Sequence, residues 1–451
     1  MAIITNPIKK QVIQNLKDDI DSSGTHYYAV IGRSEDWNET DAAPVPVNSA
    51  REERNFRLGL QSAKKVSDLT FCVPRYNWSS GAIYSAYDDS VVGYPTQTYY
   101  VMNDNNQIYM CIQQGRNAAG QAQVSTQQPT GNLDGTPFDT SDGYIWKFLY
   151  SIGALDASKF ISANYIPIQK VITTDSDSPA ALIEQKAVQD AAIVGQIVGF
   201  AVDSGGAGYD TAPAITVTGN VGGIKAKGGA TISGQQVTKV TLIDSSGSYT
   251  MGSGYDYATV SITGGGTPTK PAKVRAILGS PLGLGGDSRD DLRATAIMMN
   301  TKPTGDEATD FIVGNDFRQV GILRNPLDSA STALFTETTG ICLKKLNFAS
   351  ITSGFVTDEL ITGNISGAKA YVDKIGTNEL HYHQTEETGF ADFTTGENVT
   401  STAGSGTTAA SNHITTPEID IMSGEVLYID NRSKVARASD QTEDIKLVIQ
   451  I

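Results

Sequence analysis

The C-terminal stretch Ser423–Ile451, SGEVLYIDNRSKVARASDQTEDIKLVIQI, decides what kind of protein this is. Val426 to Ile429 is an unbroken apolar run, and Asp430-Asn431 supplies turn chemistry. Ile445, Leu447, Ile449 and Ile451 then alternate with Lys446 and Gln450 at period 2. The pattern predicts a buried strand, a turn and a half-buried last strand. A chain still in strand register at its end is expected to close a sheet built from distant segments.

The totals agree with a β protein. Of 451 residues, 39% are hydrophobic and 18% charged, and 45 glycines and 19 tyrosines favour strands and turns over helices. That length predicts two to four domains. The excess of 49 acidic over 34 basic residues, a net −15, repels nucleic-acid phosphates and anionic lipid, so neither is expected as a partner. Cys72, Cys111 and Cys342 are odd in number and widely spaced, and read as three buried thiols. The opening MAIITNPIKK lacks a charged start followed by an apolar core, and Ala191–Val202 is short and interrupted by Gln196, so a protein made and kept in a cytosol-like compartment, or leaving it by a route other than secretion, is expected, without membrane insertion.

Along the chain, Asn6-Pro7 caps an opening helix whose stripe would be Ile8, Val12, Leu16 and Ile20. Ser49 with Glu52 forms a capping box for a second helix, Ala50 to about Val66. Strands are expected at Tyr27–Ile31, Leu69–Val73, Thr98–Met102, Gln107–Ile112 and Tyr144–Ile152, with a long surface loop from Gln113 to Asp142. Ser178-Pro179 opens a helix to Val194 capped by Gly195.

Beyond that helix lie two internal duplications. Gly199–Gly286 holds 20 of the 45 glycines, and Gly206-Ala207-Gly208-Tyr209-Asp210 returns 46 residues on as Gly252-Ser253-Gly254-Tyr255-Asp256. Phe355-Val356-Thr357-Asp358-Glu359-Leu360-Ile361-Thr362 is echoed 38 residues on by Phe393-Thr394-Thr395-Gly396-Glu397-Asn398-Val399-Thr400. Each predicts a duplicated β-module.

Candidate chemistry is sparse. The Gly-Tyr-Asp turns resemble the start of a calcium β-roll repeat, but that architecture needs tandem nine-residue copies, so glycine turns with packed tyrosines are the preferred reading. His381 and His383, at i, i+2 on a strand, share a face and form half of a conceivable metal site, with His413 and Glu386 or Glu387 as the remaining donors. Against this, two histidines in a polar β-module are more often plain surface. His26 stands alone. Adjacent acids such as Asp88-Asp89, Glu386-Glu387 and Glu443-Asp444 could in principle supply a glycosidase's two carboxylates, but such pairs are more often a solvated face. No nucleophile elbow, P-loop, dinucleotide fingerprint or zincin motif occurs. No catalytic, cofactor or metal residue is therefore assigned, no cofactor is expected, and the chain is expected not to be an enzyme.

Six stretches, in this order, resemble one family: Ile31-Gly32-Arg33-Ser34-Glu35 with Trp37; Val73-Pro74-Arg75 with Trp78; Asp142-Gly143-Tyr144-Ile145-Trp146 through Leu149; Asn164-Tyr165-Ile166; Phe317-Arg318-Gln319-Val320 with Asn325-Pro326-Leu327; and Gly424-Glu425-Val426 with Tyr428, Asn431-Arg432 and Asp440-Gln441-Thr442-Glu443. The family is the smaller baseplate wedge subunit, gene product eight type, of T-even-type contractile-tailed bacteriophages. The resemblance implies a layered β-sandwich core with a few helices in long excursions. It also implies a homodimer that binds other wedge proteins in the virion's tail baseplate, after synthesis and assembly in the host bacterial cytoplasm. The organisation expected is core over 1–195, an inserted Gly-rich duplicated β-module over 196–279, core over 280–347, a second inserted β-module over 348–413, and closing core strands over 414–451. A second reading, from a different class, is a tail-associated carbohydrate-binding or depolymerising protein. Host glycan contact by the inserts stays open.

Overall fold

The computed structural model describes residues 2–91, 98–220, 225–243 and 249–450. The chain is mainly β, 38% strand and 11% helix, in several antiparallel sheets with sandwich-like packing. It divides into two compact units. One holds residues 1–13, 70–298 and 448–451, and the other holds 14–69 and 299–447.

In the second unit, five strands lie in the order Thr339–Ile341, Leu60–Lys65, Tyr27–Gly32, Asp316–Arg324 and Glu425–Ala436. The central Tyr27–Gly32 strand is buried along its whole length, and the sheet packs Tyr28, Val30, Phe56, Leu60 and Leu323 into one core. Ser49 caps the helix Ala50–Leu58 by accepting from the Glu52 N–H at 3.2 Å. That helix does not run to Val66 as expected. Gly59 ends it, and the chain turns at once into Leu60–Lys65 because its backbone bonds are claimed by Tyr27–Gly32. Gly32 is required at this turn, since a Cβ there would strike the Gly59 carbonyl.

The same unit carries the second duplication. Strands Glu379–His383, Lys369–Ile375, Leu360–Gly363, Asn398–Thr400, Ser405–Thr408 and Lys344–Ser353 pair in that order, and the last pairs back to the first, so these six close into a small barrel, with the short Ile414–Thr415 added against Lys344–Ser353. Its interior is Phe348, Phe355, Ile361, Val372, Tyr382, Phe393 and Val399. Thr362 pairs with Thr400, its own counterpart in the 38-residue repeat, so a local two-fold axis passes between the two hairpins. The repeated glutamates brace across this axis. Buried Glu397 accepts from the N–H groups of Ile365, Ser366 and Thr394 at 2.9, 2.9 and 2.6 Å and from Ser366 Oγ at 2.7 Å, while Glu359 accepts from Ser401 Oγ at 2.6 Å.

In the first unit, the strands Tyr100–Met102, Gln107–Gln113, Ile145–Ser151 and Phe138–Asp139 form a sheet over Tyr84, Tyr109, Tyr144, Trp146 and Phe148. Helix Ala180–Asp190 covers it, with Val188 in that core. The helix stops short of the expected Val194, its last turn closed by Ala191. The loop Gln113–Asp142 is pinned by the Asp142 carboxylate, which accepts from Ser125 Oγ, Thr126 N, Gln127 N and Thr140 Oγ1 at 2.5–3.1 Å. Burial pushes its pKa up, but these bonds together outweigh it and hold the value below the ordinary one.

The Gly-rich duplication is interlaced. Ala214–Gly219 and Ala258–Thr263, the middle strands of the two copies, pair antiparallel. The first strand of one copy pairs with the third of the other: Ile197–Ser204 with Lys273–Leu278, and Gln236–Thr241 with Lys227–Ser233. The repeated tyrosines obey the same exchange. The Tyr209 hydroxyl accepts from the Ala272 N–H at 2.9 Å, and that of Tyr255 from the Ala226 N–H at 3.0 Å. The flanking glycines are needed because Gly206, Gly208, Gly252 and Gly254 all take positive φ.

Three further expectations need correction. In the opening helix, Asn6–Asp21, Ile13 and Ile20 are buried whereas Ile8 and Val12 are exposed, so the apolar stripe is rotated from the one expected. Asp430-Asn431 makes no turn. Glu425–Ala436 is one continuous strand, because Asn431 lies in register with Gln319 and takes its side-chain amide at 2.8 Å. Val426 and Ile429 are only half-buried and Leu427 is exposed. The last strand, Ile445–Gln450, does alternate: Ile445 and Leu447 are buried, and Ile449 is half-buried. Ile451 lies outside the described residues.

Candidate functional site

The histidine motif leads to a dense group of charges in the second unit, against the outer face of the barrel. Along Glu379–His383, Leu380 and Tyr382 point into the barrel core, so His381 and His383 take the opposite face. His383 is enclosed there by two carboxylates. Its Nδ1 lies 2.6 Å from Asp373 Oδ2 on the adjacent strand, and its Nε2 lies 2.7 Å from Glu35 Oε1, in the segment after Tyr27–Gly32. Tyr371 stacks on the ring at 5.7 Å.

Behind this pair, Ser34 Oγ and Gln61 Nε2 donate to Asp373 Oδ1 at 3.2 and 3.4 Å, and Asn315 Nδ2 donates to its carbonyl at 3.0 Å. Buried Arg318 spends its fork on Asp41 at 2.7 Å, Asp316 at 2.6 Å, Asp36 and the Ser34 carbonyl. Lys434 reaches the other Asp316 oxygen at 2.5 Å.

These contacts set the electrostatics. Burial alone would lower the pKa of His383, but the adjoining Asp373 and Glu35 charges raise it well above its ordinary value. Burial would raise that of Glu35, but the His383 hydrogen bond and charge bring it down to about 2. Both ring nitrogens therefore donate, and an imidazolium has no lone pair with which to accept a proton or hold a metal. Ser34 donates to Asp373 and not to His383, so no nucleophile is activated. The arrangement is an ionic joint between the barrel and the five-stranded sheet.

Most of the other candidates are held by neighbouring groups. His413 Nε2 bonds the Phe393 carbonyl at 2.8 Å, and Glu386 is held by Arg54 at 2.8 Å and Arg51 at 3.3 Å. His381 has a buried Nδ1 without a hydrogen-bond partner among the described residues, and its pKa is lowered, chiefly by burial. His26 is half-buried, and its Nδ1 is likewise unpartnered among them. Asp88 and Asp89 share Arg275, and Glu443 pairs with Arg437 at 2.8 Å. No group of three or more His, Cys, Asp or Glu suited to a metal occurs among the described residues. In the Gly-Tyr-Asp turns the tyrosine is the working residue. All three cysteines are free and buried.

The sequence reading singled out His383 but missed its partners. Asp373 inside the alternating strand Lys369–Ile375, and Arg318 inside the strand Asp316–Arg324, were the available signals, since a charge on a buried strand needs a partner. Among the described residues no helix is long and apolar enough to cross a membrane. No protein-family model matches this chain, and no curated protein matches it either.

Proposed function

We propose that the chain is a structural subunit of a contractile phage tail baseplate wedge, pairing with itself and binding neighbouring wedge proteins. The observation that carries this reading is how the six family-like stretches are used. Their polar residues bond to one another, or to the segments beside them, instead of facing an open cleft. Trp37 donates to the Arg432 carbonyl at 2.9 Å beneath the Arg33 guanidinium, 4.2 Å from its ring. Gln319 bonds Asn431 at 2.8 Å, and Arg318 bonds the Ser34 carbonyl. In the other unit, the Arg75 N–H donates to the Asn164 carbonyl at 2.8 Å, and Trp78 reaches Ser125, which in turn bonds Asp142. Residues shared with a family for such reasons preserve a framework. That suits an assembly protein better than a catalyst.

Electron cryo-microscopy of contractile-tailed particles containing the chain should place it at the tail tip, in six-fold array. Sedimentation of the isolated protein should give about twice 47.9 kDa. A stable trimer that releases sugar from host polysaccharide would overturn the proposal in favour of a depolymerase.

A further inference from the structure

An open cleft of about 470 Å³ lies in the first unit, between the interlaced Gly-rich module and the sheet beside it. Its module side comes from Gly199–Val202 and Thr238–Val240, and its opposite side from Ser85–Asp88, Val91, Ile112–Gln114 and Arg116. Two cations line it, Lys239 and Arg116. Neither forms an ion pair with any acid among the described residues. Arg116 is held in place by one bond, Nη1 to the Gly120 carbonyl at 2.7 Å, and the Gly120 loop is itself fixed to the module where Thr238 Oγ1 donates to the Ala118 carbonyl at 3.0 Å.

Half-buried Lys239 has its pKa lowered, first by burial and then by the Arg116 charge, as fits a cation facing another cation without a counter-ion. The one acid on the wall, Asp88, is already paired with Arg275 at 2.5 Å. In a chain of net charge −15, two unopposed cations in one cleft are a local reversal of the field. The remaining lining suits the body of a ligand: Phe200, Val240 and Ile277 are apolar, and Gln113 adds an amide. The volume is that of a small-molecule site.

We propose that this cleft binds a small organic anion, a carboxylate or phosphate carried on a ring-sized body, with the Arg116 fork and the Lys239 ammonium holding the charged group. A planar guanidinium grips either oxyanion with two bonds, and the ammonium adds a point charge. The proposal is independent of the baseplate reading, because it rests on residues outside the family-like stretches.

The test is calorimetric titration of the full chain at low salt with glucuronate, glucose 6-phosphate, inorganic phosphate and uncharged glucose. Either charged sugar should bind more tightly than glucose and than inorganic phosphate, and the one that binds identifies the source of the charge. Lys239→Gln and Arg116→Gln should each weaken it about tenfold to a hundredfold, the range for a charge-assisted bond. Lys374→Gln, in the other unit, should leave it unchanged. Circular dichroism of each variant separates a folding defect from lost contact, and a misfolded variant is replaced by Lys239→Met or Arg116→Lys under the same criterion. Binding of no probe, equal binding of glucose, or affinity unmoved by either cleft substitution would overturn the proposal.

Discussion

Both duplicated modules join two copies of a short β-motif about a local two-fold relation, but they brace that relation with opposite chemistry. The interlaced module uses a neutral phenol, Tyr209 or Tyr255, each accepting one backbone N–H from the other copy. The barrel uses a carboxylate, and its two copies are unequal: Glu397 is buried and takes four donors, while Glu359 is half-exposed and takes one. A neutral brace ties folding to hydrogen bonds alone. A charged brace ties it to pH as well.

The comparison breaks most visibly at Glu397. Glu397→Ala leaves four part-buried donors without their charged acceptor and should cost about 3–5 kcal/mol, seen as a lower melting temperature and lost hydrogen-exchange protection over 344–415. A melting temperature within a degree of the parent would mean that the carboxylate is not a brace.

Next in size is the response to pH. Glu397 and Glu35 have folded pKa values below their unfolded ones, so their stabilisation is complete above about pH 4.5 and fades as pH falls, for Glu35 through about 2. His383 has a raised folded value, so its contribution is complete below about pH 6.5 and fades as pH rises through that raised value. The barrel and its joint should therefore lose stability as pH falls below about 4.5, and lose more than the interlaced module, whose braces contain no carboxylate; between pH 4.5 and 6.5 His381, lowered by burial, and Asp358, raised to about 6 by burial, act against the Glu35–His383 pair. Hydrogen exchange corrected for intrinsic rates resolves the two regions. Parallel acid loss in both would erase the distinction.

Tyr209→Phe and Tyr255→Phe each leave one backbone N–H without its acceptor and should cost about 1–2 kcal/mol in urea unfolding. The exchange predicts similar losses for the two, and a large inequality would argue against it. Smallest is Glu359→Gln, at about 0.5 kcal/mol, because one half-exposed bond is weakened and not removed. A loss matching that of Glu397→Ala would mean the copies are equivalent after all.

The two duplications and the closing alternation were legible in the sequence, whereas the spacing-four stripe of the opening helix was not. The 46- and 38-residue echoes land on matched turns and hairpins, and the Ile445-Leu447 alternation lands on a half-buried strand. The Ser49 cap was legible because capping is local. Barrel closure was not, since it depends on Lys344–Ser353 meeting Glu379–His383, a pairing no local pattern encodes. Nor was the ionic joint, whose members Glu35, Arg318, Asp373 and His383 come from distant parts of the chain and acquire partners only when folded. The helix ending at Leu58 was misread for a related reason: a glycine in a helical pattern is tolerated unless a neighbouring strand claims the residues after it, as Tyr27–Gly32 claims Leu60–Lys65.

The division of the chain also governs its synthesis. Residues 14–69 include the fully buried strand Tyr27–Gly32, whose partner Asp316–Arg324 is encoded beyond the whole of 70–298. At ribosomal rates of about 5–20 residues per second, that strand waits on the order of tens of seconds, its apolar faces and backbone unpaired on one side. The intervening segment can meanwhile collapse into its own sheets. The nascent chain thus passes through a stage with one unit largely formed and an orphan β-segment attached, a target for a holding chaperone and the point at which overproduction would drive the protein into inclusion bodies. Slowing translation after residue 298 should lower the soluble yield, and slowing it before residue 14 should not.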